Sequence, residues 1–571
     1  MKGAAVANDS TQLKTDSSGT KLERGLSSRH IQLMAISGAV GTGLFMGSGK
    51  TISAAGPSVI FVYMIIGFML FFVMRAMGEI LLSNLNYKTF ADFAGDLLGP
   101  WAAFFTGWTY WFCWVVTGIA DVVAIAQYVA YWWSEIPLWL PALCCILLLA
   151  GLNLPTVKAF GETEFWFSLV KIVAILALIV CGLAMIATGF SSSEGDTASF
   201  VHLWAHGGMF PTGFMGFVAG FQIAVFAFVG IELVGTAAAE TKDPEKNLPK
   251  AINSIPLRVI LFYVGALTVL MAVTPWYKFS ADESPFVGMF SMAGLAAAAG
   301  LVNFVVLTAA ASSANSGIYS TSRMLRGLSQ DGDAPKKFSK LSTTQVPRNA
   351  LLFSCMFLLA AVVLLYAGDS VAQAFTLVTT VSALCFMFVW SMILISYLAF
   401  RKRRPHLHDA SKFKVPGGMG APYMVLAFFV FILWALTTQA DTRAALLATP
   451  LWFLVVGLSY LKVRKSDSHQ ALRAAHQAKV LAENEAAAIY RKARCSARIS
   501  YDELRSSTEA RNPRASAGTV QHAPHEGRTD HPIQAFCAIQ ALASPTQLNK
   551  KLISRPDMHL ADSCSRSSDA A

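Results

Sequence analysis

Gly38-Ala39-Val40-Gly41-Thr42-Gly43-Leu44-Phe45 lies inside the first apolar segment of the chain. Three glycines within six residues are a poor way to build a helix, because each one loosens the backbone and costs about 1 kcal/mol relative to alanine. In a lipid environment the N–H and C=O groups freed by such a break are tolerated only where protein or a polar cavity satisfies them. The stretch therefore predicts an interrupted helix whose backbone forms a binding site. Close helix packing through the recurring small residues Gly43, Gly47 and Gly49 is the competing reading.

A second stretch decides between them. Phe226-Ala227-Phe228-Val229-Gly230-Ile231-Glu232-Leu233-Val234-Gly235 repeats the pattern of an apolar segment interrupted by glycine. Two interrupted helices at corresponding places in two halves are the sequence pattern of a secondary transporter's binding site. An unwound segment offers N–H groups at the positive start of its second half and carbonyls at the end of its first half. Such a pair suits a zwitterion with one carboxylate and one ammonium.

The surroundings agree with a membrane protein. Of 571 residues, 54% are hydrophobic and only 14% charged, against about a quarter charged in soluble domains. Apolar segments run over roughly 31–49, 58–82, 102–131, 137–157, 164–188, 215–238, 256–275, 294–320, 350–367, 371–399, 420–438 and 444–463, each about long enough to span the hydrocarbon core. The net charge of +11 does not point to nucleic acid, since the basic residues gather in the tails and at the ends of apolar segments.

Their placement also orients the chain. With the N-terminus in the cytoplasm, Lys88, Lys158, Lys242, Lys246, Lys250, Arg323, Arg326, Lys336, Lys337 and the run Arg401 to Arg404 all fall inside, whereas 191–213 holds no Lys or Arg. This predicts a multi-pass protein of the cytoplasmic membrane with both termini inside. Residues 1–29 read as a polar cytoplasmic tail, 30–465 as the membrane domain, and 466–571 as a polar, disordered cytoplasmic tail. Within that last stretch Gln470 to Arg494 is alanine-rich and charged enough to form a soluble helix.

Charged and polar residues inside apolar spans mark candidate sites, because they usually face a cavity. Glu232 and Lys171 are predicted to serve proton coupling or gating, or else to brace the unwound backbone. Asp121, Ser312 and Ser313 are candidates for lining the cavity. Arg75 and Glu79 are spaced i, i+4 and read as a structural pair. Gly47-Ser48-Gly49-Lys50-Thr51 imitates a phosphate loop, but position 44 is leucine where the first glycine is required and no strand precedes it. His202 with His206, and His406 with His408, lack further ligands and read as solvated. No metal, cofactor, nucleic acid or protein partner is expected, and no nucleophile–base pair converges, so an enzyme is not expected either.

The tracts Gly41-Thr42-Gly43-Leu44-Phe45, Met74-Arg75-Ala76-Met77-Gly78-Glu79, Phe228-Val229-Gly230-Ile231-Glu232 and Glu240-Thr241-Lys242-Asp243-Pro244 resemble the bacterial amino acid permeases of the amino acid–polyamine–organocation superfamily. The resemblance covers about residues 20–465. It implies an all-α polytopic fold of about twelve transmembrane helices. Two inverted five-helix repeats, about 31–188 and 215–399, would have broken first and sixth helices and be followed by two further helices. It also implies proton-driven uptake by alternating access.

Carried over by motif, the substrate carboxylate would meet N–H groups at Thr42 and Gly43, and the ammonium carbonyls at Ala39, Phe226 and Val229. Phe226 would be an occluding aromatic gate, Glu232 the acidic residue of helix six, and Lys171 the lysine that replaces a sodium ion in some members. Gly107 to Trp114 and Phe61 to Phe68 resemble the members that carry D-alanine, D-serine and glycine, which makes small neutral amino acids the expected substrates. An aromatic amino acid, 4-aminobutyrate, or a sensing role signalled through the tail are the alternatives.

Overall fold

The computed structural model describes residues 40–87, 89–155, 157–192, 195–236, 243–281, 283–367 and 371–511. Gly38, Ala39, the N-terminal tail 1–29, the stretch 237–242 and the end of the tail, 512–571, lie outside the described residues. The chain forms two compact units, up to Asn484 and from Glu485.

The first unit is built almost entirely of helices. The principal helices of the chain, in order, are α1 (Gly47–Ala55), α2 (Val59–Ser83), α3 (Phe90–Leu98), α4 (Pro100–Ala130), α5 (Trp139–Asn153), α6 (Val157–Ala187), α7 (Gly213–Ala224), α8 (Leu233–Thr236), α9 (Pro244–Asn253), α10 (Ala266–Val273), α11 (Pro285–Met292), α12 (Ala296–Gln330), α13 (Arg348–Leu358), α14 (Ala360–Ala367), α15 (Val371–Arg403), α16 (Gly420–Ala435), α17 (Ala440–Val463) and α18 (Asp467–Arg511). Among the described residues nine helical stretches are long and apolar enough to cross a membrane, and two shorter apolar helices accompany them. One of the nine, Gly47–Ser83, is interrupted at Gly56-Pro57, where Gly56 takes φ +61°, so it counts as α1 and α2. The chain is a multi-pass membrane protein.

Turn chemistry explains the junctions. Thr89 and Asp92 form a reciprocal capping box at the start of α3, and Gly99 ends that helix at φ +116° just before Pro100 opens α4. A Cβ on Gly95 would fall 2.8 Å from the Ala103 Cβ, so α3 folds back tightly on α4. Glycines also set the central packing: a Cβ on Gly317 of α12 would lie 2.7 Å from the Trp114 ring of α4.

The polar connections differ from the sequence reading in two places. Arg75 and Glu79 do not form the expected direct pair. Glu79 is fully buried and accepts from Tyr397 Oη at 3.0 Å and the Val415 N–H at 2.9 Å, with His408 Nδ1 at 2.5 Å. Arg75 instead bonds Asn253 and the Lys414 carbonyl and lies over Phe413. His408 is therefore a partner of a buried carboxylate rather than a solvated residue. In the tail, α18 (Asp467–Arg511) takes in the soluble helix expected over Gln470 to Arg494 and continues into residues expected to be disordered, because alanine and long charged side chains favour a helix.

Candidate functional site

Among the described residues both glycine-marked stretches hold backbone outside regular helix. The first leaves Val40 and Gly41 outside regular helix, and a short turn, Thr42–Phe45, starts after Gly41 in extended backbone. In the second, α7 stops at Ala224, a tight turn covers Phe226–Phe228, and Val229 to Glu232 are unwound before α8. Gly230 has φ +98°, a conformation costly for any side chain. Leu44 and Phe45 N–H groups both bond the Gly41 carbonyl, whereas the Thr42 and Gly43 N–H groups have no partner among the described residues.

The two interruptions touch. A Cβ on Gly43 would fall 2.5 Å from Ala227 Cα and 2.9 Å from the Phe226 ring. The Phe226 carbonyl accepts the Val229 N–H at 3.1 Å, which leaves it one further lone pair. Phe226 also meets Phe375 of α15 edge to face at 6.3 Å. Tyr263 braces the second interruption by donating to the Ala227 carbonyl at 2.8 Å. It reaches that point from a wide π-helical turn, Val259–Gly265, inserted in its helix.

Two polar clusters flank the contact. In the first, Thr42 donates to Asp121 Oδ1 at 2.5 Å, and Asp121 on α4 is fully buried with no partner for Oδ2 among the described residues. Ser313 on α12 lies beside Asp121 and beside Gly41. Lys171 of α6, also buried, lies within electrostatic reach of Glu164 and Asp121. Ser312 donates to Glu164 at 2.8 Å. Thr42, Asp121, Lys171, Ser312 and Ser313 thus belong to one neighbourhood.

Glu232 belongs to another. It is fully buried, and its carboxylate accepts from the Gly230 N–H at 3.2 Å and from Tyr110 Oη at 3.5 Å. The Trp114 and Trp390 indoles lie beside it. Its bond from the Gly230 N–H ties the carboxylate to the unwound turn itself. Ala39, expected to supply a carbonyl, lies outside the described residues.

Sequence reasoning missed Glu164, Tyr110, Tyr263 and the two indoles. Glu164 fell on the assumed edge of its span, yet α6 starts at Val157 and buries it two turns inside. The other four are aromatic residues in aromatic-rich helices and carried no distinguishing signal. On the opposite side from the basic connections, a cavity of about 490 Å³ reaches Met46 and is lined also by Gln127, Tyr128, Glu283, Ser284 and Asn303. Lys50 links α1 to Thr376 of α15 and Asp441 of α17 near that side. The phosphate-loop imitation is helical, with Gly49 packed on the Ser280 and Glu283 carbonyls.

The chain is similar to known proteins over most of its length. Residues 30–472 match the family model described as amino acid permease. The D-serine/D-alanine/glycine transporter of Escherichia coli (strain K12) is 65% identical over 444 residues, covering 78% of this chain and 94% of that protein. The amino-acid permease AapA of Bacillus subtilis (strain 168) is 53% identical over 450 residues, covering 79% and 96%. The uncharacterized transporter YdgF of the same organism is 53% identical over 449 residues, covering 79% and 97%. The family's named members are transporters rather than enzymes. With its interrupted helices abutting at Gly43 and Ala227, the chain belongs to the amino acid permease family.

Proposed function

We propose that this protein is a proton-coupled symporter that imports small neutral amino acids, D-alanine, D-serine and glycine among them, across the bacterial cytoplasmic membrane. The observation that carries the reading is the abutting pair of helix interruptions within a chain 65% identical to a D-serine/D-alanine/glycine transporter. The substrate carboxylate sits at the Thr42 and Gly43 N–H groups, and its ammonium at the carbonyls of Ala39, Phe226 and Val229. Backbone binds both charges, so the room left beside Phe226 sets side-chain size. A small pocket favours glycine and alanine and tolerates either chirality.

Phe226 closes over the substrate against Phe375. Lys171 and Glu232 serve coupling or gating, and Asp121, Ser312 and Ser313 line the polar wall. The basic connections face the cytoplasm, as do both termini, and the 490 Å³ cavity is the outer vestibule. Alternating access then proceeds by movement of helices around the fixed contact.

The deciding experiment is uptake of labelled D-alanine into proteoliposomes, without sodium and with or without an inward proton gradient. Gradient-dependent accumulation competed by glycine and D-serine is the expected result. Accumulation of an aromatic amino acid instead, or accumulation indifferent to the gradient, overturns the substrate or the coupling respectively.

A further inference from the structure

The start of α18 lies partly beyond the stretch shared with the family, which ends at residue 472, yet it is fastened to family residues. Lys479 pairs with Asp96 of α3. Glu483 Oε1 accepts from Arg404 Nε at 3.0 Å and Nη2 at 2.8 Å, and the same Nη2 donates to Asp96 Oδ2 at 2.7 Å. Arg404 Nη1 also donates to Tyr87 Oη at 3.0 Å, which in turn donates to Asp96 at 2.6 Å. The four charges alternate, Lys479, Asp96, Arg404, Glu483, so each has an opposite neighbour. Lys479 and Glu483 are spaced i, i+4 and share one helix face.

Almost three turns before Lys479, His469 lies 3.6 Å from Asp333, just past α12, and 3.3 Å from Tyr460 Oη of α17. Between these two anchors Leu472, Ala475 and His476 roof a cavity of about 560 Å³ above Asp92, Asp96 and Asp331. Residues 467–484 therefore touch α3 at Asp96, the end of α12 at Asp333, the end of α15 at Arg404 and the end of α17 at Tyr460. The anchor with the strongest bonds is Arg404, one residue past the end of α15. That helix also carries Phe375 against Phe226 and Trp390 beside Glu232. Arg404 is only 8% exposed, and its two donors on the one Glu483 oxygen make charge-assisted bonds.

We propose that residues 467–484 are a strap that holds the basic end of α15 against α3 and slows the transport cycle. The proposal rests on the transport reading above. Any step that shifts α15 relative to α3 must break the Glu483 and Lys479 bonds or drag the helix along, whereas substrate binding at Gly43 and Phe226 leaves them untouched. The strap thus acts on turnover and not on affinity.

The test uses the full-length protein and the double variant Lys479→Ala/Glu483→Ala, with hydrogen exchange and D-alanine uptake measured in parallel. In the wild type, amides of 467–484 are expected to be protected at about 20 mM salt and less so at about 500 mM. The variant should lose that protection and take up D-alanine about threefold faster at unchanged KM. Exchange in the wild type as fast as in the variant overturns the docking. Lost protection with an unchanged or lower rate overturns the restraint. A wild type that does not transport D-alanine sinks the substrate reading instead. The exchange data still judge the docking in that case, and the rate comparison is made with whichever amino acid the wild type accumulates.

Discussion

Gly43 and Ala227 meet backbone to backbone, with the position of a Cβ on Gly43 only 2.5 Å from Ala227 Cα and 2.8 Å from its nitrogen. No side-chain rotation relieves such a clash, since both of these atoms are main chain. Gly43→Ala must push the two interruptions apart, and uptake is expected to fall at least about tenfold. Gly41→Ala is the comparison: its Cβ would lie 3.4 Å from Ser313 Oγ, close to ordinary contact. Uptake normalised to membrane-inserted protein should rank wild type, then Gly41→Ala, then Gly43→Ala. Equal activity of the two variants would sink the contact as a functional element.

The reason these interruptions could be read from sequence is local. Glycine clusters act through backbone freedom alone, and the spacing of Lys and Arg acts through membrane orientation; neither needs knowledge of partners. What escaped was long-range. The His408 bond to Glu79 joins residues 329 apart, and nothing near either one announces the other. Glu164 was lost to a boundary placed seven residues late. The tail shows both sides of this limit: its alanine content marked a helix, while its grip on Asp96 and Arg404 depends on a fold that brings three distant segments together.

Glu232 accepts from the Gly230 N–H and Tyr110 Oη, with two indoles alongside. In Glu232→Gln one acceptor oxygen becomes an NH2 group that points a donor at donors, which costs about 1–3 kcal/mol in a buried site. Concentrative uptake is expected to be abolished while the protein still reaches the membrane. Accumulation equal to wild type would show that the carboxylate is dispensable.

Asp121 holds Thr42 through one oxygen and keeps the other without a protein partner among the described residues. Asn at this position preserves an acceptor for Thr42 but removes the charge facing Lys171. If Asp121 only positions Thr42, Asp121→Asn is near wild type; if its charge matters, uptake falls about tenfold or more. The second outcome is expected, with Thr42→Ser, which keeps the hydroxyl donor, staying within about threefold of wild type. Measuring both in one uptake series separates the hydrogen bond from the charge.

Attachment of the tail helix should respond to pH through two aspartates of opposite behaviour. Burial alone would raise the Asp96 carboxyl, but hydrogen bonds from Lys479, Tyr87 and Arg404 outweigh it and hold it at about 2. A depressed acid contributes stability that is present above its ordinary value of 3.8 and lost as pH falls toward 2, so this anchor holds throughout the neutral range. Asp333 runs the other way, since burial and then the charge of Asp331 push it up to about 7. A raised acid favours the attached state only while protonated, and that contribution is lost as pH rises from 3.8 through 7. Protection of residues 467–484, corrected for intrinsic exchange, should therefore be greater at pH about 5.5 than at about 8. In Asp333→Asn, which cannot ionise and still faces His469, the difference should shrink and protection at the higher pH should rise. A difference of the same size in both proteins would assign the pH response to His469 or another group and remove Asp333 from the account.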